Sequence, residues 1–270
     1  MCYPGTLLLL ATMVMGTSWR PLLAGPARIV GGVAVRKGEL PYLVSLQDVR
    51  WGAARHFCGG SVYHNSYVIT AAHCVVTRDL NVLQVVAGEH DRSKEEGSEQ
   101  VVRVSEIIVH PHYNHQTYLN DIALLKLSKR LHYTKFVQPI PLAPQRASGQ
   151  CLVSGWGAVQ ENGDVVDTPQ KLEVPIWSEE SCRRSYSVEA IHESMMCAGY
   201  EEGGKDACHS DSGGPLVCRS SVGGATYLGG IVSWGYGCAR PYHPSIYTDL
   251  SYFASWVQHN TVTSPARLQL

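Results

Sequence analysis

The chain sets short apolar runs between turn-forming residues along most of its length, and that rhythm limits the architectures open to it. Ten runs stand out: Leu43 to Leu46, Val68 to Ala71, Val82 to Ala87, Val101 to Val109, Ile122 to Leu127, Leu152 to Ser154, Leu172 to Ile176, Leu216 to Cys218, Leu228 to Trp234 and Ile246 to Thr248. Most carry Val, Ile or Leu, and Gly, Pro, Asn or Ser separate them. Runs this short and this closely spaced read as the strands of a β-sandwich or of β-barrels. Tyr252 to Asn260 breaks the rhythm, with apolar residues at helical spacing, and predicts a C-terminal helix. The 270 residues exceed a typical domain, but all-β units of roughly 200 to 250 residues fold as one body, so one compact unit is expected.

Chemistry concentrates in the stretch from Gly204 to Leu216, where Ser212 stands between Asp211 and the pair Gly213-Gly214. Glycines beside a serine let backbone N–H groups crowd toward one point, which stabilises negative charge developing on an attacked oxygen. A serine is a weak nucleophile without a base and a group to orient that base. Upstream, Thr70-Ala71-Ala72-His73-Cys74 offers a histidine at the end of an apolar run, and Asn120-Asp121-Ile122 offers an aspartate opening another. The chain order is therefore His, Asp, Ser. Subtilisin runs Asp, His, Ser and the α/β-hydrolases Ser, Asp, His, whereas chymotrypsin has the order found here.

On these residues the chain resembles the chymotrypsin and trypsin family of secreted serine proteases from Ile29 to about Asn260. The matching stretches, in order, are Ile29-Val30-Gly31-Gly32, Thr70 to Cys74, Asp121 to Leu125, Ser154-Gly155-Trp156-Gly157, Asp211 to Pro215 and Ser233-Trp234-Gly235. The resemblance implies an all-β fold of two antiparallel six-stranded β-barrels with a C-terminal α-helix. The halves meet near residues 135–145, where Pro139, Pro141 and Pro144 punctuate the chain. His73 and Asp121 then belong to the first half and Ser212 to the second, with the site in the cleft between them. It further implies that Ser212 attacks a peptide carbonyl, His73 carries the proton, Asp121 orients the histidine, and the N–H groups of Ser210 and Ser212 form the oxyanion hole. The implied disulfides are Cys58–Cys74, Cys151–Cys218, Cys182–Cys197 and Cys208–Cys238. Catalysis of this kind takes no cofactor.

The first residues hold an apolar core from Leu7 to Met15 followed by small residues. Nine residues are too few for a membrane span of roughly 20, so residues 1–18 read as a signal peptide, cleaved near Gly16 or Ser18 with Ala24 as the other candidate. Removing Cys2 leaves eight of the nine cysteines, an even number that suits disulfides in a secreted, extracellular protein. No Cys-x2-Cys pair is present, which sets structural zinc aside. Arg28 before Ile29 resembles an activation junction, making residues 19–28 a propeptide and 29–260 the peptidase domain. By resemblance, the α-amine freed at Ile29 neutralises Asp211. Residues 261–270 read as a disordered tail. Net charge is −1 and the basic residues are scattered, so neither nucleic acid nor an anionic membrane is an expected partner. The expected partners of this monomer are protein or peptide substrates, an activating protease and protease inhibitors.

Asp206, six residues before Ser212, matches the carboxylate at the base of the family's first specificity pocket and implies cleavage after Arg or Lys. Ser233, Trp234, Gly235 and Gly237 match the pocket walls, and Ala207 stands where some members carry a serine that helps hold lysine. Two positions depart from the trypsin pattern. Ser210 and Ser245 stand where trypsins usually have Gly. Ser210 is expected to strain the backbone or to obstruct the leaving-group side. Ser245 either narrows the pocket or hydrogen-bonds Asp206 and softens its charge preference. These departures keep a second reading open, a catalytically weakened or inactive protease-fold binding protein. An α/β-hydrolase is excluded because Ser210 breaks Gly-x-Ser-x-Gly. Finally, the segment from Glu89 to Glu99 resembles the family's calcium loop, with Glu89, Glu96 and Glu99 as carboxylate ligands and Asp91 and Lys94 offering carbonyls to a structural Ca2+.

Overall fold

The computed structural model describes residues 31–50, 52–158, 160–161, 163–186, 190–220 and 223–262. The expected signal peptide, the propeptide, Arg28, Ile29 and the chain beyond residue 262 lie outside the described residues. Six antiparallel strands close the first barrel: β2 (Leu43–Asp48), β3 (Arg55–His64), β4 (Tyr67–Thr70), β5 (Leu83–Ala87), β6 (Gln100–Val109) and β7 (Ala123–Leu127), in the order β2-β3-β4-β7-β6-β5.

The second half comprises β8 (Gln150–Gly155), β9 (Gln170–Pro175), β10 (Met195–Ala198), β11 (Pro215–Arg219), β12 (Thr226–Trp234) and β13 (Ser245–Asp249). They form a sheet in the order β9-β8-β11-β12-β13-β10, with the two-residue β1 (Val33–Ala34) as a seventh strand outside β9. The resemblance implies a six-stranded barrel here, and among the described residues its ring is shut without a β9–β10 ladder: a bridge from Ile176 to Ala198 spans the gap, supported by Gly199 N–H to Pro175 O at 3.1 Å and Trp177 N–H to Cys197 O at 3.0 Å.

Three strands escape the apolar pattern, the two-residue β1 among them. β3 reads Arg-His-Phe-Cys-Gly-Gly-Ser-Val-Tyr-His, and its glycines sit where a side chain has no room. A Cβ on Gly60 would stand 2.9 Å from Val68 Cγ1, and one on Gly59 would stand 2.8 Å from the Gly214 backbone. Here β3 runs against the turn that holds Ser212, and Gly in a strand marks such close approach. β10, Met-Met-Cys-Ala, has no β-branched residue to announce it.

Between β7 and β8 the chain changes halves. Ile140 N–H bonds Val62 O in the first barrel at 2.9 Å, and three residues later Ala143 N–H bonds Leu228 O in the second at 3.0 Å. The halves also share core. Leu46, Ile69 and Leu124 of the first barrel belong to one apolar cluster with Leu228 and Ile231 of β12 and with Phe253 and Val257 of the C-terminal helix α3 (Leu250–Thr261). That helix is the predicted one, begun two residues earlier by an Asp249 cap on the Ser251 N–H. Two shorter helices, α1 (Ala72–Val75) and α2 (Glu179–Tyr186), were not visible in the pattern. Four disulfides join Cys58–Cys74, Cys151–Cys218, Cys182–Cys197 and Cys208–Cys238, as the resemblance implies. Among the described residues no helix is long and apolar enough to cross a membrane.

Candidate active site

His73 lies on the single turn α1, directly after β4, and its neighbour Cys74 is tied to Cys58 of β3. Asp121 is fully buried at the entrance to β7. The chain reaches it through two residues in the left-handed region, Tyr118 (φ 55°) and Asn120 (φ 56°). The Asn120 amide donates to His112 O at 2.8 Å and fixes that turn.

The Asp121 carboxylate meets His73 twice: Oδ1 accepts the His73 backbone N–H at 2.8 Å and Oδ2 stands 2.7 Å from Nδ1. Two groups of the second half complete the shell. Ser233 Oγ donates to Oδ2 at 2.6 Å, and Thr248 Oγ1 donates to the Asp121 carbonyl at 2.8 Å. A carboxylate only accepts, so the Nδ1 contact requires the proton on Nδ1 and leaves the neutral ring a lone pair at Nε2. The Cys74 sulfur lies 3.6 Å from Nε2 and, as half of a disulfide, has no proton to give. Ser233 was expected only in the substrate pocket; its hydroxyl is also part of the Asp121 environment.

Ser212 and His73 line the same cavity, one of about 220 Å3. Ser212 rides on a tight turn in which Asp211 N–H bonds Cys208 O at 3.0 Å and Gly214 N–H bonds Asp211 O at 2.9 Å. Gly213 N–H reaches Val232 O and Gly59 N–H reaches Ser212 O, each at 2.8 Å, so both halves hold the turn. The N–H groups of Ser210 and Ser212 meet no acceptor among the described residues. Ser210 has φ 71°, the left-handed conformation that favours glycine, which is the strain its sequence position predicts.

A residue that sequence reasoning missed secures Ser210. His56 Nε2 lies 3.1 Å from Ser210 O and its Nδ1 lies 2.8 Å from Ser45 Oγ. A carbonyl only accepts, so Nε2 carries the proton and Nδ1 accepts from the serine. Burial, with Arg92 adding repulsion, lowers the His56 pKa to about 4 and keeps the ring neutral. The only sequence signal was a polar residue inside what proved to be a strand.

Asp211 is completely buried. Its carboxylate accepts N–H groups of Gly157 at 2.9 Å and Cys208 at 3.0 Å. A side chain at Gly155 or Gly157 would collide with it, which explains the glycines of Ser154-Gly155-Trp156-Gly157. Burial pushes the Asp211 pKa up to about 7, against the two hydrogen bonds and with added repulsion from Asp206. No cationic side chain among the described residues pairs with it.

The cavity is walled by Ala207, Ser233, Trp234, Gly235, Gly237 and Ser245. Asp206 is not itself part of that lining. It lies buried behind Ser245, whose hydroxyl hydrogen-bonds the carboxylate, with the N–H groups of Ala207 and Ala239 at 2.8 and 3.2 Å. Burial raises its pKa to about 6 despite these bonds. The Ser245 hydroxyl bonds Asp206, and Ser245 also stands in the cavity lining in front of that carboxylate.

Two groups of potential metal ligands lie close together among the described residues, Cys58/His73/Cys74 and Cys208/His209/Cys238, and in both the cysteines are consumed by disulfides. In the Glu89–Glu99 segment, Asp91 Oδ2 pairs with Lys94 at 2.9 Å, and Glu96 Oε1 faces Lys37 at 3.6 Å and Lys94 at 3.9 Å. Glu99 Oε1 accepts the Glu96 N–H at 2.7 Å. Glu96 Oε2 is buried without a hydrogen-bond partner. Burial raises the Glu89 pKa, and repulsion from Glu99 and Glu96 adds to the rise.

Residues 29–257 match the family model described as Trypsin. The chain is 48% identical over 239 residues to Trypsin-1 of Astacus astacus, which covers 87% of this chain and all of that protein. It is 42% identical over 240 residues to a trypsin of Xenopus laevis, across 88% of this chain and 91% of the relative. Serine protease 1 of Rattus norvegicus is 43% identical over 234 residues, across 86% and 89% of the two chains.

Replacing Ser210 by glycine relieves a left-handed L-residue at the cost of some added freedom in the unfolded chain. We expect Ser210→Gly to stabilise the fold by about 1 kcal/mol, read as a higher denaturant midpoint. A midpoint at or below that of the parent would contradict the strain.

Proposed function

The chain belongs to the trypsin family and is a serine endopeptidase, and from that premise we propose that it is a secreted enzyme that cuts after Arg, or Lys, once released from a precursor by cleavage after Arg28. In this reading Ser212 attacks the scissile carbonyl, and His73 Nε2 takes its proton and delivers it to the departing amine. Asp121 fixes the histidine tautomer and stabilises the imidazolium. The unsatisfied N–H groups of Ser210 and Ser212 receive the oxyanion. The observation that carries the proposal is the His73–Asp121 pair, closed by Ser233 from the opposite half and opening Nε2 toward the cavity that Ser212 lines.

Asp206 behind Ser245 supports the specificity. A cationic side chain entering the cavity gives a buried carboxylate the counter-charge it lacks, so Arg and Lys are favoured over neutral residues. The Ser245 hydroxyl shares that carboxylate and tempers the preference, and Ala207, which offers no hydroxyl, favours Arg over Lys. The activation proposal rests on Asp211. An α-amine at Ile29, cationic at neutral pH, would supply the charge that a fully buried carboxylate is missing. The reading as an inactive binding protein is not favoured: Ser210 preserves the backbone N–H that the chemistry needs, and no histidine, aspartate or serine of the site is lost.

For calcium, the residues fit a hard cation. Glu99 and Glu96 repel Glu89, and one Glu96 oxygen is buried without a partner, while the Asp91 carbonyl already accepts the Lys94 N–H at 3.2 Å and would offer its second lone pair. A bound ion would rigidify this segment and take no part in the reaction.

Three measurements test the proposal. After cutting at Arg28 the chain should hydrolyse an arginine amide, while Arg28→Gln stays inactive and Ser212→Ala in the cut chain loses about 10^4-fold or more in kcat without unfolding; comparable rates from Ser212→Ala would end it. Affinity for a small amidinium inhibitor should be level above pH 7 and fall about tenfold per unit below about pH 6, because the proton competes for Asp206. A pH-independent affinity would place the cation elsewhere. Calcium should raise the melting temperature by several degrees, and an unchanged value in chelator would remove the ion.

A further inference from the structure

We propose that the side of the cleft facing the departing peptide is an anion-accepting subsite built by Arg50, Arg55 and Arg78, so that this enzyme favours Asp or Glu in the first positions after the cut. The inference rests on the endopeptidase reading above and concerns which peptides that same site prefers.

Two cavities meet at the catalytic pair, and the residues common to both are His73 and Ser212. One is the cavity in front of Asp206. The other, of about 440 Å3, is bounded by the Cys58–Cys74 disulfide, Phe57, Thr77, Arg50 and Arg78. With the residue before the cut in the first cavity, the residues after it run from Ser212 into the second. Phe57 and Arg78 also line a third space of about 530 Å3, so the path continues past Arg55 and Arg92. The charged residues along the last two spaces are Arg50, Arg55, Arg78, Arg92 and a single carboxylate, Asp48.

Asp48 does not cancel this charge. Its Oδ2 is shared between Arg78 at 2.9 Å and Arg50 at 3.2 Å, and the two guanidiniums help hold its pKa below the usual range. Arg92 is engaged with Val166 O at 2.8 Å and more loosely with Asp167 at 3.8 Å. Arg55 is exposed and has no ion-pair partner among the described residues. Arg78 is pre-organised: its guanidinium lies 3.9 Å from the Phe57 ring centre and its Nε donates to Cys74 O at 3.4 Å. A stacked, half-buried guanidinium loses little freedom on meeting a carboxylate, which suits arginine to this role. The cleft is therefore polarised across Ser212, with a buried carboxylate behind one cavity and surplus guanidinium along the other. A lysine after the cut meets repulsion there and a carboxylate meets a partner.

The test uses the full chain cut after Arg28 and internally quenched peptides identical through the arginine at the cut, followed by Asp-Glu, Ala-Ala or Lys-Lys. At low salt kcat/KM should favour Asp-Glu over Lys-Lys by about tenfold. The ratio should shrink toward about twofold in 0.5 M NaCl, where the screening length falls to a few ångströms. Arg55→Glu, at an exposed position, should reduce it about threefold, and Arg55→Glu with Arg78→Gln should bring it to about one. Circular dichroism checks that each variant is folded, and the salt series needs no variant at all. A ratio near one in the parent, or one that survives both high salt and the double variant, overturns the subsite. If the parent also fails to cut an arginine amide, which has no residue after the cut, the endopeptidase reading has failed and takes this inference with it. Cleavage of the amide with indifference among the peptides defeats the subsite alone.

Discussion

Burying a carboxylate among backbone N–H groups without a cation costs several kcal/mol unless something offsets it, and among the described residues Asp211 is in that position. Much of the site is arranged around it. Gly155 and Gly157 have no side chains because the carboxylate fills that space. The turn from Cys208 to Gly214 wraps over it and so fixes where Ser210 and Ser212 sit. His56 holds the Ser210 carbonyl from the outside. A group whose charge is this poorly compensated makes the turn responsive to any cation delivered to it, and the proposed activation by a cut after Arg28 draws on that responsiveness.

The second constraint is that neither half owns the site. His73 and Asp121 come from the first barrel, yet Asp121 takes its remaining hydrogen bonds from Ser233 and Thr248 of the second. Ser212 comes from the second half, yet its carbonyl is held by Gly59 of the first. Termini cross as well: β1 joins the sheet of the second half, and α3 packs Phe253 and Val257 into the core of the first. The seam is thus kept in register by buried hydrogen bonds and a shared apolar core, and a catalytic group on either side moves only if both do.

How much of this the sequence disclosed follows from which features are local. The residues around His73, Asp121 and Ser212 are contiguous motifs, and the apolar runs mark ten of the strands. β3 stayed hidden because the Ser212 turn of the other half demands Gly59 and the barrel packing demands Gly60, and glycine carries no strand signal. β10 stayed hidden because Met195 and Met196 are buried without β-branching. The role of Ser245 needed three dimensions, since whether a hydroxyl narrows a pocket or bonds the carboxylate behind it depends on orientation. His56 and the arginines at 50, 55 and 78 were legible as residues but not as a cluster, because Arg78 follows His73 on one segment while the others flank the β2–β3 turn.

The polarity proposed for the cleft bears on the proposed activation junction after Arg28. Arg28 suits the cavity in front of Asp206, but the four residues after it are Ile29, Val30, Gly31 and Gly32, which offer the leaving side no carboxylate. A tenfold preference corresponds to about 1.4 kcal/mol, so if the arginines select acidic residues, the junction forgoes that much transition-state stabilisation when the enzyme acts on its own precursor. On the proposed reading the same arginines that sharpen the choice of substrate would slow self-activation and leave the first cut to a protease whose leaving side tolerates an apolar residue. Specificity and restraint would come from one patch of charge, in which Arg50 and Arg78 line the cavity shared by His73 and Ser212.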